Sequence, residues 1–349
     1  MLNISAPANI KIAGEHSVVH GTKCISAAVY KLADTWVESD GSDQVTLSLD
    51  DLKPEHTQKF TKEDLKSINR SWEEKADVNS FISTNNRLSR SHLAFAYVAS
   101  RLYLEYDVPV TGATFHSTSK VPVREGWGSS TSIGASFVGA VLAQANVMLK
   151  DADIVDVIRD VDRIIHKNPN AGAVDVPPVY YGGYVVGSPK SGYSRMQVSQ
   201  PPNLLAVNVG PKVPTSDTVF VVSVKAKTYP ERAREIFSSI DSIIDDEVEA
   251  LGTGNAMKLG KLMNANQRLL VELGVSSEKL DQMTRIANKN GAYGAKLSGG
   301  GGGGMGIVNC EPYNNLQIAD AMRRVGFNVE RIETTDMGVK GQLERILRR

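Results

Sequence analysis

Apolar residues along this chain follow two periods. Alternation of apolar and polar positions is the period of a half-buried strand. It marks residues 2–13, where Pro7 interrupts the run, and residues 24–50, most strictly in Val45-Thr-Leu-Ser-Leu49. Strand-like runs return at Val108–Ser117, Leu204–Val209, Val219–Val224, Met305–Val308 and Phe327–Ile332, the last closing the chain. Helical spacing marks Ser91 to about Tyr106, the small-residue stretch Thr131–Asn146, residues 151–166, and then 230–248, 255–273, 277–289 and 313–325. Residues 51–88 are polar, charged and poorly periodic, and read as a surface excursion. Mixed strands and helices in two halves predict an α+β fold with a cleft between the halves. The punctuation Pro177-Pro178 and Gly182-Gly183 sets the division near residue 185, giving parts 1–185 and 186–349.

Composition narrows the class. At 41% hydrophobic and 22% charged, the 349 residues suit a folded globular chain. Lys+Arg and Asp+Glu both number 39. The chain therefore offers no net field to nucleic acid or to an acidic membrane, and any anion site must be local. The two cysteines, Cys24 and Cys310, form no CxxC pair, which suits a reducing compartment and argues against a disulfide framework or a zinc site. The first residues have no basic region followed by an apolar core, and no apolar run approaches the roughly 20 residues of a membrane span. The expected setting is the cytoplasm, with neither a membrane nor a nucleic-acid partner.

Two glycine-rich stretches carry the candidate chemistry. The first, Pro122-Val-Arg-Glu-Gly-Trp-Gly-Ser-Ser-Thr-Ser132, runs directly into a helix. Gly126 and Gly128 let the backbone turn tightly and approach a ligand. Ser129, Ser130 and Thr131 open the helix, whose free N–H groups favour phosphate, and a hydroxyl there suits Mg²⁺. A plain glycine turn with a serine cap fits the same residues, and no GK[ST] follows to make a Walker loop. The second stretch, Lys296-Leu-Ser-Gly-Gly-Gly-Gly-Gly-Gly-Met305, lies between a helix and an apolar strand. Linkers seldom sit there, so its backbone is expected to pack against a ligand or another loop.

Together with Ala6-Pro-Ala-Asn-Ile-Lys-Ile-Ala-Gly-Glu-His-Ser-Val-Val-His-Gly21, these stretches resemble, in order, the three motifs of the GHMP kinase superfamily, and within it the mevalonate kinases. Asn264–Val275 is similar to a helix of the same family. The resemblance implies a two-domain kinase fold with the active site in the cleft. It implies ATP and Mg²⁺ as cofactors and phosphorylation of the primary hydroxyl of mevalonate or a phosphorylated mevalonate. By the same resemblance Pro122, Gly126, Trp127, Gly128, Ser129, Ser130 and Thr131 bind ATP. Asp175, in a segment beginning at His166 and followed by Gly182-Gly183, is the catalytic base. Asp162, four residues before that histidine, holds Mg²⁺ with Ser130. Glu15, His16, Arg124, Ser298, Gly299 and Gly300 line the acceptor pocket.

Three positions depart from the family pattern. Its basic residue in the first motif is Asn9 here, with Lys11 two residues on; Arg124-Glu125 replace small residues; and two extra residues separate His166 from Asp175. Either Lys11 or Arg124 takes the place of the missing cation, or the acceptor differs from plain mevalonate. The readings kept beside mevalonate are its 3-phosphate, a sugar, the ATP-dependent decarboxylation run by a related enzyme, and a sensor that has lost the chemistry. A homodimer is left open.

Overall fold

The computed structural model describes residues 2–49, 56–75 and 77–348. β1 (Leu2–Ala13), β2 (Cys24–Ser39), β3 (Gln44–Leu49), β4 (Thr57–Thr61), β5 (Ala113–Ser119), β6 (Tyr184–Ser188) and β7 (Gly192–Met196) build one sheet. Its order is β4-β3-β5-β2-β6-β7, with β1 along the opposite edge of β2, and only β3 and β5 run parallel. Helices α1 (Lys62–Glu73), α2 (Val78–Thr84), α3 (Arg90–Glu105), α4 (Ser129–Ala145), α5 (Asp151–His166) and α6 (Val176–Tyr181) accompany it. The second sheet holds β8 (Leu204–Asn208), β9 (Ala292–Leu297), β10 (Met305–Cys310) and β11 (Asn328–Arg331), all antiparallel, in the order β11-β8-β10-β9. Helices α7 (Thr215–Thr228), α8 (Pro230–Thr253), α9 (Ala256–Leu273), α10 (Glu278–Lys289) and α11 (Asn315–Arg323) cover this half. No helix of the described residues is long and apolar enough to cross a membrane.

The pairing of β1 with β2 slips between Pro7 and Ala8, where β2 carries the extra residues Tyr30 and Lys31, and again before Ala13. From Ile4 on, the even-numbered residues of β1 are buried along the strand: Ile4 and Ala6 pack in the helical core of the first sheet, and Ala8, Ile10 and Ile12 in the core shared with the second. The odd-numbered Asn9 and Lys11 are turned to the side that holds residues 127–128 and Asp175. Pro7, which lacks a ladder N–H, suits that break.

Several elements differ from the sequence reading. Residues 57–61, 62–73 and 78–84 form β4, α1 and α2 rather than a loose excursion; residues 51–55 lie outside the described ones. The apolar stripe of α1 is only Leu65, Ile68 and Trp72, and a Thr61–Asp64 capping box starts it. Val219–Val224 is not a strand but part of α7. Only Thr218 and Val222, one helical turn apart, are buried there, so tertiary contact overrides β-branched propensity. β5 starts at Ala113 because Pro109 and Gly112 (φ 84°) interrupt the run.

The chain does not close at Ile332 but continues into α12 (Val339–Leu347), which returns to the first sheet. Lys340 pairs with Asp151 at 2.5 Å, Gln342 Oε1 accepts the Ser5 N–H at 3.1 Å, and Val339 fills the space left by Gly139. Gly183 N donates to Thr335 O at 2.8 Å, and a Cβ on Gly182 would lie 2.3 Å from Asp336 O. Since β6 spans residue 185 and β7 lies past it, both in the first sheet, the first sheet extends beyond that point.

Candidate active site

The first glycine loop reaches α4 through left-handed turns at Arg124 (φ 65°), Gly126 (φ 98°) and Gly128 (φ 71°). Gly128 is required twice over, since a Cβ there would also lie 2.0 Å from the Asn9 side-chain nitrogen. Asn9 N donates to Trp127 O at 3.0 Å, fastening the loop to β1. The first α4 amide that closes the helical ladder is Ser132 N, on Gly128 O at 3.0 Å. The amides before it point out of the helix end, where an anion is favoured.

α5 runs beside that helix end. Thr131 Oγ1 donates to Asp162 Oδ2 at 2.5 Å, and Ser130 Oγ stands 3.0 Å from His166 Nε2. Asp162 is buried and its Oδ1 has no hydrogen-bond partner. Burial, reinforced by the Asp175 carboxylate, pushes the Asp162 carboxyl above its usual range. The unbonded Asp162 oxygen beside the start of α4 is a hard donor, which fits Mg²⁺. Among the described residues no three His, Cys, Asp or Glu side chains form a metal cage, so phosphate oxygens would complete the shell.

Asp175 stands at the N-terminus of α6 in an ion pair with Lys11. Burial works to raise its carboxyl, but the Lys11 ammonium outweighs this and holds it below the usual range, ionised at neutral pH. Lys11 is correspondingly raised, the carboxylate outweighing burial. Lys212, in the loop after β8, is a cation the sequence reading missed. It acts on both Asp175 and Lys11, and it has no hydrogen bond or ion pair of its own among the described residues. It lies across the glycine tract, where a Cβ on Gly304 would meet its side chain at 3.1 Å.

The first and third motifs are tied at three points. Lys296 Nζ donates to Glu15 Oε1 at 2.5 Å with both side chains buried; His16 Nε2 donates to Gly300 O at 2.9 Å; and Ser298 Oγ donates to Lys11 O at 2.9 Å. Gly299 faces the Lys11 stem. Nearby on α8, Glu247 is fully buried with neither oxygen bonded. Burial pushes its carboxyl up to about 8, against the pull of Lys296. No local pattern marked it as more than one acid in a charged helix.

The structure thus brings Lys11, Asp175, Asp162, Ser129, Ser130, Gly126 and Gly128 to one cleft and reassigns others. Glu15 is held in the core, its Oε1 bonded to Lys296 and its Oε2 buried without a hydrogen-bond partner. Thr131 turns inward to Asp162. Trp127 is core, only 2% exposed, with Lys31 Nζ 5.0 Å from its ring centroid. Arg124 is exposed and has no ion pair among the described residues, so Lys11 is the cation beside Asp175. Pro122 is half-buried at the loop entrance. Past His166, a groove of about 330 Å³ opens between α1, α2 and the following loop, lined by Trp72, Lys75, Val78, Asn79 and Pro169.

Comparison with known proteins gives the family of the chain. Residues 92–183 match the family model of the GHMP kinases N terminal domain, and residues 248–328 that of the GHMP kinases C terminal. A mevalonate kinase of Methanocaldococcus jannaschii is 31% identical over 307 residues, covering 87% of this chain and 90% of that protein. One from Thermococcus onnurineus is 27% identical over 349 residues, covering 98% of each. The crystal structure of the Methanococcus jannaschii mevalonate kinase superposes with a TM-score of 0.75 at 26% identity, covering 95% of this chain and 98% of the other.

Proposed function

The chain belongs to the mevalonate kinase family of the GHMP kinases, and from that premise we propose that it transfers the γ-phosphoryl group of ATP to the primary hydroxyl of mevalonate. The observation that carries this reading is the Lys11–Asp175 pair at the junction of the three motifs. The acceptor oxygen attacks γ-phosphorus in line, the bond to the bridging oxygen breaks, and ADP leaves. Asp175, kept ionised by Lys11, accepts a hydrogen bond from the acceptor hydroxyl and takes its proton as the new P–O bond forms. Lys11 and Lys212 supply positive charge beside the transferred group, doing the work of the cation missing at Asn9.

The amides opening α4 and the Gly126–Gly128 backbone bind the phosphate chain, and the groove beside Trp72 takes the purine, its volume suiting a small-molecule site. Ser130 and Asp162 would hold Mg²⁺, which when bound neutralises phosphate charge. The free, buried cysteines Cys24 and Cys310 suit the reducing cytoplasm.

An acceptor that already carries a phosphate is the second reading. It is favoured by Lys212, which has no carboxylate bonded to it among the described residues. ATP consumption measured against mevalonate, its 3-phosphate, its 5-phosphate and galactose decides between them. Turnover of galactose alone, or none in any case, would end the proposal.

A further inference from the structure

Behind the first and third motifs lies a buried polar cluster. The buried face of α8 runs through Ile236, Ile240, Ile244, Glu247 and Leu251, so Glu247 stands in a stripe whose other members here are aliphatic. On α9, packed against α8, Asn266 is also fully buried, and neither of its amide atoms is bonded. Lys296 enters from β9, and Glu15 from the segment after β1 with its Oε2 unbonded. Lys296 and Glu15 are the charged groups that act on Glu247 among the described residues. Next to Glu15, burial holds the His16 ring below its usual range, so it carries no charge at neutral or alkaline pH. β2 and α7 also pack on α8, but Lys23, just before β2, pairs with Asp241 and Asp245, and Lys225 of α7 donates to Glu272 O.

One cation therefore faces two acids. The Lys296 ammonium has three N–H donors and places two, on Glu15 Oε1 at 2.5 Å and on Leu297 O at 2.8 Å. A second carboxylate in the same buried cluster would leave an unmatched negative charge, which burial strongly disfavours. The bond goes to Glu15, so Glu247 keeps its proton, and burial pushes its carboxyl up to about 8. The Glu15–Lys296 bond is one of several at this junction. His16, next in the chain, donates to Gly300 O; Ser298, two residues past Lys296, donates to Lys11 O; and Gln267 Oε1 accepts the Leu297 N–H at 2.9 Å. A change at Lys296 therefore reaches the residue that pairs with Asp175. When Glu247 loses its proton it becomes a second anion for Lys296, whose third N–H is free to turn to it. We propose that Glu247 is a positioning residue for phosphoryl transfer: protonated, it leaves Lys296 to Glu15 and keeps the first and third motifs joined, and ionised, it draws Lys296 away and loosens Lys11.

Two readouts on the full chain test it. The first needs no acceptor. Amide hydrogen exchange of residues 297–304 should be equal in the wild type and in Glu247→Gln at about pH 6.5, and several-fold faster in the wild type at about pH 9. Comparing the two proteins at the same pH cancels the intrinsic rise of exchange with pH. The second readout rests on the mevalonate reading above. With saturating mevalonate and ATP, the wild-type kcat should fall by about 10-fold as pH rises through about 8, while the variant keeps its rate across that step. Burial also lowers Lys212 from the usual lysine range, but loss of its charge would appear in both proteins alike. A fall in kcat of equal size in wild type and variant, or exchange that is equal in the two at both pH values, overturns the proposal. An unmodified enzyme that does not turn mevalonate over would end the mevalonate reading, and the exchange difference would then decide this one alone.

Discussion

Glu247→Gln tests the buried charge balance behind the glycine motifs. The wild-type carboxyl is fully buried, bonds to nothing, and is pushed up to about 8 from an ordinary 4.5. The nearest cation, Lys296, is held by Glu15 Oε1 and Leu297 O. Between those two values the folded chain keeps a proton that the unfolded chain releases. The folded pKa is raised, so stability is greatest below the unfolded value and falls as pH rises toward the folded one. Each pH unit costs about 1.4 kcal/mol, so the three units from about pH 5 to about pH 8 cost about 4 kcal/mol. Glutamine has the same shape and no charge to acquire. Denaturant unfolding of both proteins across that range should show near-equal stability at the acid end. The variant should then gain about 4 kcal/mol on the wild type by the alkaline end. Parallel curves would refute the reasoning. Ionisation of Glu247 also sets it against Glu15 for Lys296, the bond joining the first and third motifs.

Asp175→Asn should keep ATP binding and lower turnover by a factor on the order of 10² or more, read from kcat and the KM for ATP; near-normal turnover would remove Asp175 from the chemistry. Ser130→Ala and Asp162→Asn should each raise the Mg²⁺ concentration for half-maximal rate, and an unchanged requirement in Asp162→Asn would make it a purely structural acid. Arg124→Ala should change the rates with mevalonate and with its 3-phosphate little and equally, because the side chain is exposed and has no ion pair among the described residues. A selective loss with the phosphorylated acceptor would bring Arg124 into the cleft.

What the sequence disclosed was set by how local the cause is. Gly128 was legible because a turn into a helix start needs glycine, although the Asn9 amide that also demands it is remote in sequence. Asp175 was reached only through the register of a related motif, since nothing in Ala173-Val-Asp175 marks a base. Trp127 and Thr131 lie in the right motif, yet β1 and α5 decide which way they face. Glu15 and Lys296 lie 281 residues apart, and no periodicity could have joined them. Helix α7 was hidden because Val219–Val224 satisfies the strand pattern, while the two buried positions that settle its form depend on the rest of the fold.

The return of α12 separates the order of synthesis from the order of completion. Val339 follows Ala145, where α4 ends, by 194 positions. At translation rates of ~5–20 residues per second they take about 10 to 40 s to make. Throughout that interval a nascent chain leaves Ile4 and Gly139 without the valine that covers them, and Asp151 without Lys340. The second sheet has all its strands by Arg331, before α12 exists. During biosynthesis the helical cover of the first sheet, begun earliest, is finished last.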